Sequence, residues 1–256
     1  MNERENSSLQ TNNIDNELFV KPFKTTKTKV KSRPTHDDHT VPKHPFRAIL
    51  SGASGSGKTN LLLHLLKSKS LYGAFFDIIF IISPTAGKLD DSYEALKKTS
   101  KKINIINDLN PDTIEKIMST NKKIILEKQV HKAPKILIVY DDVIADVKFM
   151  NTKSFLHSFV ASRHYNASVI ICTQKFNAVP RTCRIQANAV FYFKGGNAER
   201  LTLAEEFAPP GYSKKEMIEI IDTATDKPYS FLFINHQAKR GHQIREGLHT
   251  ILELTK

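Results

Sequence analysis

From Phe46 onward the chain alternates between two hydrophobic patterns. Short apolar runs rich in Ile, Val and Phe occur at Phe46–Leu50, Phe75–Ile82, Ile103–Ile106, Ile136–Tyr140, Val169–Thr173, Ala189–Phe193 and Phe231–Ile234. They lack polar alternation, as strands buried on both faces do. Segments with helical spacing lie between them: Lys58–Ser68, Ser92–Lys98, Pro111–Met118, Thr152–His164, Ala198–Phe207 and Ser213–Thr223. Strand and helix alternating in this way predict a three-layer α/β fold around a mostly parallel sheet.

The first 44 residues break the pattern. Asn, Ser, Thr, Glu and Lys dominate, and the few apolar residues cannot bury enough surface to offset the entropy of ordering. The expected organisation is therefore a polar, basic, disordered tail over 1–44 and a single domain over 45–256. Lys21, Lys24, Lys27, Lys29, Lys31 and Arg33 make the second half of the tail basic. Such an arm either grips phosphates or serves as a solvated linker.

The whole chain of 256 residues carries a net charge of +12, which points to an anionic partner such as nucleic acid or to a highly charged soluble surface. Its two cysteines, Cys172 in an apolar run and Cys183 in an expected loop, form no disulfide framework and fit a reducing compartment. The polar N-terminal stretch has no secretory pattern. The longest apolar run, Ala74–Ile82, is broken by Asp77 and is too short to span a bilayer, so no membrane partner is expected. The histidines show no metal-ligand spacing with either cysteine.

Gly52-Ala53-Ser54-Gly55-Ser56-Gly57-Lys58-Thr59 satisfies the phosphate-binding pattern G-x-x-x-x-G-K-[ST] at every fixed position. A strand is expected before it and an amphipathic helix after it. Glycines let backbone N–H groups approach phosphate oxygens, and the helix N-terminus adds partial positive charge. Lys58 is placed for the β- and γ-phosphates, and the Thr59 hydroxyl for Mg²⁺. Small-molecule kinases share this motif, so it does not by itself choose between phosphoryl transfer and hydrolysis.

Lys135–Asp142 reads as a buried strand ending in two acids. Ligands gather at the C-terminal edge of a parallel sheet, so Asp141 is placed to hold Mg²⁺ beside Thr59, and Asp142 to polarise an attacking water. Ser168–Gln174 is a third apolar run, and Gln174 at its end is placed to sense the γ-phosphate or orient water. Arg163, Arg181 and Arg184 are candidates to stabilise transition-state charge from a neighbouring subunit.

With these motifs in order, the chain resembles the FtsK–HerA superfamily of DNA-pumping ATPases. It looks most like the genome-packaging ATPases of poxviruses, giant viruses and virophages. The resemblance rests on Ile49–Thr59, on Ile138–Asp142 and on Ser162–Gln174, and covers roughly residues 45–195. Many relatives carry Asp-Glu where this chain has Asp141-Asp142; the shorter second acid places its water differently. The resemblance implies a RecA-like core using ATP and Mg²⁺, assembled as a ring, expected to be a hexamer, with an Arg, for which Arg163 is a candidate, reaching across to the next subunit. It implies duplex DNA in a basic pore, with Lys175, Arg181, Arg184 and Lys194 as pore candidates. It also implies a capsid protein partner, and localisation in the host-cell cytoplasm and the virion. The competing readings are a P-loop small-molecule kinase and a DNA-processing ATPase of helicase or conjugation type.

Overall fold

The computed structural model describes residues 30–34, 40–86 and 92–254. Among the described residues, ten strands form one sheet. In chain order they are β1 (Val30–Pro34), β2 (Arg47–Ser51), β3 (Ile78–Ile82), β4 (Ile103–Ile106), β5 (Ile136–Asp141), β6 (Ala167–Thr173), β7 (Ala189–Phe193), β8 (Phe231–Asn235), β9 (Ile244–Glu246) and β10 (Thr250–Leu254). The α-helices are α1 (Lys58–Lys67), α2 (Ser92–Thr99), α3 (Pro111–Lys128), α4 (Val147–Met150), α5 (Lys153–Val160), α6 (Arg181–Arg184), α7 (Asn197–Glu206) and α8 (Lys214–Ala224).

Strand order is β1-β10-β9-β8-β7-β2-β6-β5-β3-β4. The six strands from β7 to β4 run parallel, and β8, β9, β10 and β1 extend the sheet antiparallel. The mostly parallel three-layer α/β fold is thus as the sequence predicts.

Alternation along β5 shows why its run is unbroken. Ile136, Ile138 and Tyr140 enter the apolar layer that also holds Ile114 of α3, Phe155 and Phe159 of α5, and Met217 and Ile220 of α8. Leu137 and Val139 enter the opposite layer with Leu61, Leu62 and Leu65 of α1 and Leu96 of α2. Successive side chains point to opposite faces, and both faces are covered, so no polar position is tolerated until the strand ends. Helix starts also follow local chemistry. Asn110 caps α3 through its side chain, which accepts from Asp112 N at 2.9 Å, and Pro111 occupies the first turn. Ser213 and Glu216 form a capping box at α8, with Glu216 N donating to Ser213 Oγ at 3.3 Å and Ser213 N to Glu216 Oε2 at 2.7 Å.

Four expectations need correction. Val30–Pro34, read as part of a disordered tail, forms β1 against β10, with Val30 opposite Leu254 and Pro34 opposite Thr250. The expected tail over 1–29 and 35–39 lies outside the described residues. The single helix expected over Thr152–His164 is α5 followed by a 3₁₀ turn at Ser162–Tyr165. The chain leaves that turn through Asn166 in the left-handed region (φ 48°), a conformation that Asn tolerates well, and enters β6. Phe75 and Phe76 precede β3 and pack with Tyr72, Phe46 and His44 as an aromatic cluster. Cys183 lies buried in α6 instead of in a loop; burial pushes its thiol up to about 12.

Candidate nucleotide site

β2 is central, flanked by β6 and β7. The loop Gly52–Gly57 therefore emerges at the C-terminal edge of the parallel strands, between the ends of β6 and β7. Gly52 N donates to Thr173 O at 3.1 Å, tying the loop to the end of β6. Inside the loop Ser56 N donates to Ala53 O at 3.2 Å. Gly55 (φ 74°) and Gly57 (φ 103°) take conformations open to glycine, and a Cβ on Gly52 would lie 2.5 Å from Phe193 Cβ. The glycines are thus set by backbone shape and by close approach of β7.

α1 begins with Gly57 as its N-cap, without a side-chain cap and without an acidic residue in the first turn. Its leading N–H groups are left to an anion, and the helix dipole favours one. Lys58 Nζ arches over the loop to Gly52 O (2.7 Å) and Ala53 O (2.9 Å). Burial lowers the Lys58 pKa, while Cys172, Asp141 and Asp142 act in the opposite sense. The opposing effect belongs to the two carboxylates, because burial pushes the Cys172 thiol far up.

Asp141 closes β5 and is 8% exposed. By the strand's alternation it faces the α1–α2 layer, on the side of Thr59. Tyr93 of α2 donates to Asp141 Oδ2 at 2.6 Å and holds the carboxylate in orientation. Asp142 leaves the strand in the left-handed region (φ 53°, ψ 22°), so the two adjacent acids diverge. Around its carboxylate, Gln174 Nε2 lies 3.4 Å from Oδ1 and Thr85 Oγ1 lies 3.4 Å from Oδ2. The ends of β6, β5 and β3 thereby meet at one acid.

These groups line one cleft of about 480 Å³: Ser54, Gly55, Gly57, Lys58, Thr59 and Asn60 from the loop and α1, with Thr85, Asp141, Asp142, Gln174 and Tyr229 opposite. A poly-anion with a hydroxyl-and-carboxylate cation site beside it fits this donor set.

Arg163 is not in the cleft. It is exposed in the 3₁₀ turn before β6, at the N-terminal edge of the parallel strands, close enough to Arg47 to lower that guanidinium's pKa together with burial, the larger cause. Arg184, expected as a finger or pore residue, is instead committed internally. It makes a bidentate pair with Glu206 (2.7 and 3.0 Å) and donates to Val179 O at 2.7 Å. Arg181, Lys175 and Lys194 are exposed.

The sequence reading missed Thr85, Tyr93, Asn60 and Tyr229. Thr85 had a usable signal, since it follows the end of a strand parallel to β5. Tyr93 and Tyr229 had none, because only the packing of α2 and of the α8–β8 turn brings them in.

A model of the poxvirus A32 protein family matches residues 35–238. The chain belongs to the poxvirus A32 protein family. Among curated relatives, the DNA packaging proteins OPG160 of Variola virus and Vaccinia virus are each 30% identical over 141 residues, which is 54% of this chain and 49% of theirs. The chain thus spans about half the length of the curated relatives it matches. Among solved structures, the genome packaging NTPase B204 of Sulfolobus turreted icosahedral virus 2, in complex with ATP-gammaS, superposes with a TM-score of 0.56 at 19% identity, covering 80% of this chain and 98% of B204. EssC (ATPases 2 and 3) of Geobacillus thermodenitrificans gives 0.55 at 14% identity, over 83% and 40%. At these identities the structural likeness establishes the fold that this A32 family member shares with them.

Proposed function

We propose that the chain is an ATP-driven motor that translocates double-stranded DNA, packaging a viral genome into a preformed capsid. The observation that carries the reading is the convergence of Gly52–Thr59, Asp141, Asp142 and Gln174 on one cleft at the C-terminal sheet edge. The family, the packaging relatives and the B204 fold support it.

In this mechanism the backbone of Gly52–Lys58 cradles the phosphates, and Lys58 swings from its two carbonyls onto the β- and γ-phosphate oxygens. Thr59 and Asp141 would hold Mg²⁺, which would supply neutralisation of phosphate charge. Asp142 accepts a proton from the attacking water, and Gln174 orients that water. Two adjacent acids at the end of β5, with Gln174 3.4 Å from the second of them, favour hydrolysis over a kinase reaction.

Arg163 sits at the opposite sheet edge from its own cleft, so its catalytic role is in trans, toward the nucleotide of the next subunit of a ring, proposed as a hexamer. Exposed Lys175 and Lys194 follow β6 and β7 on the nucleotide edge and are proposed to meet DNA phosphates, without reading bases. The proposed functional unit is the P-loop domain of residues 45–256, preceded by the basic segment. Capsid protein is the proposed further partner, and the host-cell assembly site and the virion the proposed locations. Among the described residues no helix is long and apolar enough to cross a membrane.

The reading is tested by ATP hydrolysis with and without long duplex DNA. DNA should raise the rate severalfold, with a steep fall as salt rises. A rate indifferent to DNA at every salt concentration would remove the motor assignment. For Arg163, mixed rings of Arg163→Ala and Lys58→Ala subunits should recover measurable turnover, because each supplies what the other lacks. Intact mixed rings with no recovery would take Arg163 out of the reaction.

A further inference from the structure

The turn between α8 and β8 holds a tyrosine in an unexpected place. Ser230 N donates to Lys227 O at 3.2 Å, which closes a four-residue turn with Pro228 and Tyr229 at its centre. Proline at the first central position with positive φ at the second is the type II pattern, and that second position favours glycine. Here it is Tyr229, at φ 62°. A bulky side chain held there carries backbone strain, which marks a site with a task.

The turn is also braced. Ser230 Oγ donates to Lys227 O at 2.7 Å, and Lys227 Nζ pairs with Glu246 of β9 at 3.6 Å. Yet the ring it carries is 72% exposed, so packing does not explain it. It lies over the phosphate loop: a Cβ built on Gly57 would be 3.5 Å from Tyr229 Cδ1 and 3.5 Å from Phe193 Cε1. The ring lines the same cleft as Lys58 and Thr59. β8 lies beyond β7, on the side of β2 away from β5. With the terminal phosphate drawn toward Asp141 and Asp142, the other end of a nucleotide extends from α1 toward this turn.

Resting on the nucleotide reading above, we propose that the Tyr229 ring is the platform on which the base of the bound nucleoside triphosphate stacks. Every nucleobase presents a π-face, so the platform adds affinity without choosing among bases. The polar edge of the base would be left to solvent, and ATP and GTP would bind alike.

Calorimetric titration of the full chain with ATP, GTP and inorganic tripolyphosphate tests this. Tyr229→Gly suits the turn and should raise the melting temperature, while weakening ATP and GTP about tenfold. Tyr229→Phe should keep wild-type affinity. Tripolyphosphate, which has no base, should bind all three proteins equally. The chain contains no tryptophan, so Tyr229→Trp supplies a lone indole whose emission ATP should quench and tripolyphosphate should not. Equal ATP affinity in wild type and Tyr229→Gly overturns the proposal. So does an equal loss for tripolyphosphate, which would mean that the ring only shapes the loop. Lys58→Ala separates the two readings: if it leaves both ligands bound as before, the phosphate loop assignment fails on its own.

Discussion

Lys58→Ala is expected to cut ATP turnover by at least about a hundredfold, the scale of losing one preorganised charge-stabilising group. The Lys58 side chain is half-buried, lies at the first turn of α1, and among the described residues hydrogen-bonds two backbone carbonyls. Those carbonyls are neutral and compete weakly with phosphate oxygens. Burial lowers the pKa of the ammonium, and Asp141 and Asp142 oppose that effect. Alanine removes the one side-chain cation that lines this cleft among the described residues, and leaves the α1 dipole against the phosphate charge. Stability should hardly change, because the lost hydrogen bonds are partly exposed and worth about 1 kcal/mol each or less. Phosphate release assays beside thermal unfolding separate the two effects. Turnover within threefold of wild type in a folded Lys58→Ala protein would defeat the assignment.

Asp142→Asn should leave nucleotide binding within a few-fold of wild type and lower kcat about 10²- to 10⁴-fold, the usual contribution of a positioned general base. Asparagine is the sharper probe than alanine here. The backbone at Asp142 is left-handed, which Asn tolerates and Ala resists, so Asn removes charge and basicity without adding strain. Its amide still meets Gln174 and Thr85. Binding and single-turnover hydrolysis, measured separately, decide the role. Loss of binding equal to the loss of kcat would place Asp142 in substrate binding, and an unchanged kcat would leave the water to another group.

Much of this site was legible because each motif is local. Gly52–Thr59 carries its own turn chemistry, and a run such as Ile136–Tyr140 must be a doubly covered strand, which fixes Asp141 at the ligand edge. The Thr-Gln end of β6 followed by the same rule. What stayed hidden depends on contacts distant in sequence. Tyr93 looks like any aromatic on a short helix until α2 folds over β5. Tyr229 sits in a Lys-Pro-Tyr-Ser turn that reads as surface. β9 has three residues, too few for a period, and β1 holds a single apolar residue beside Lys, Ser, Arg and Pro, so its pairing follows from the backbone ladder with β10. Arg163 was legible as a candidate, but only topology tells that it and the phosphate loop occupy opposite edges.

The β1–β10 ladder bears on how the protein keeps to itself. An unpaired outer strand is a template for another molecule's strand, and β10, Thr-Ile-Leu-Glu-Leu, offers apolar residues on an extended backbone. With β1 in place those backbone groups are occupied, and the new outer strand carries lysine, arginine and proline, which resist edge-to-edge addition. Strand β1 is therefore a gatekeeper against aggregation. Trimming the chain at residue 44 would strip it away and leave a sticky edge where the intact molecule has a blunt one.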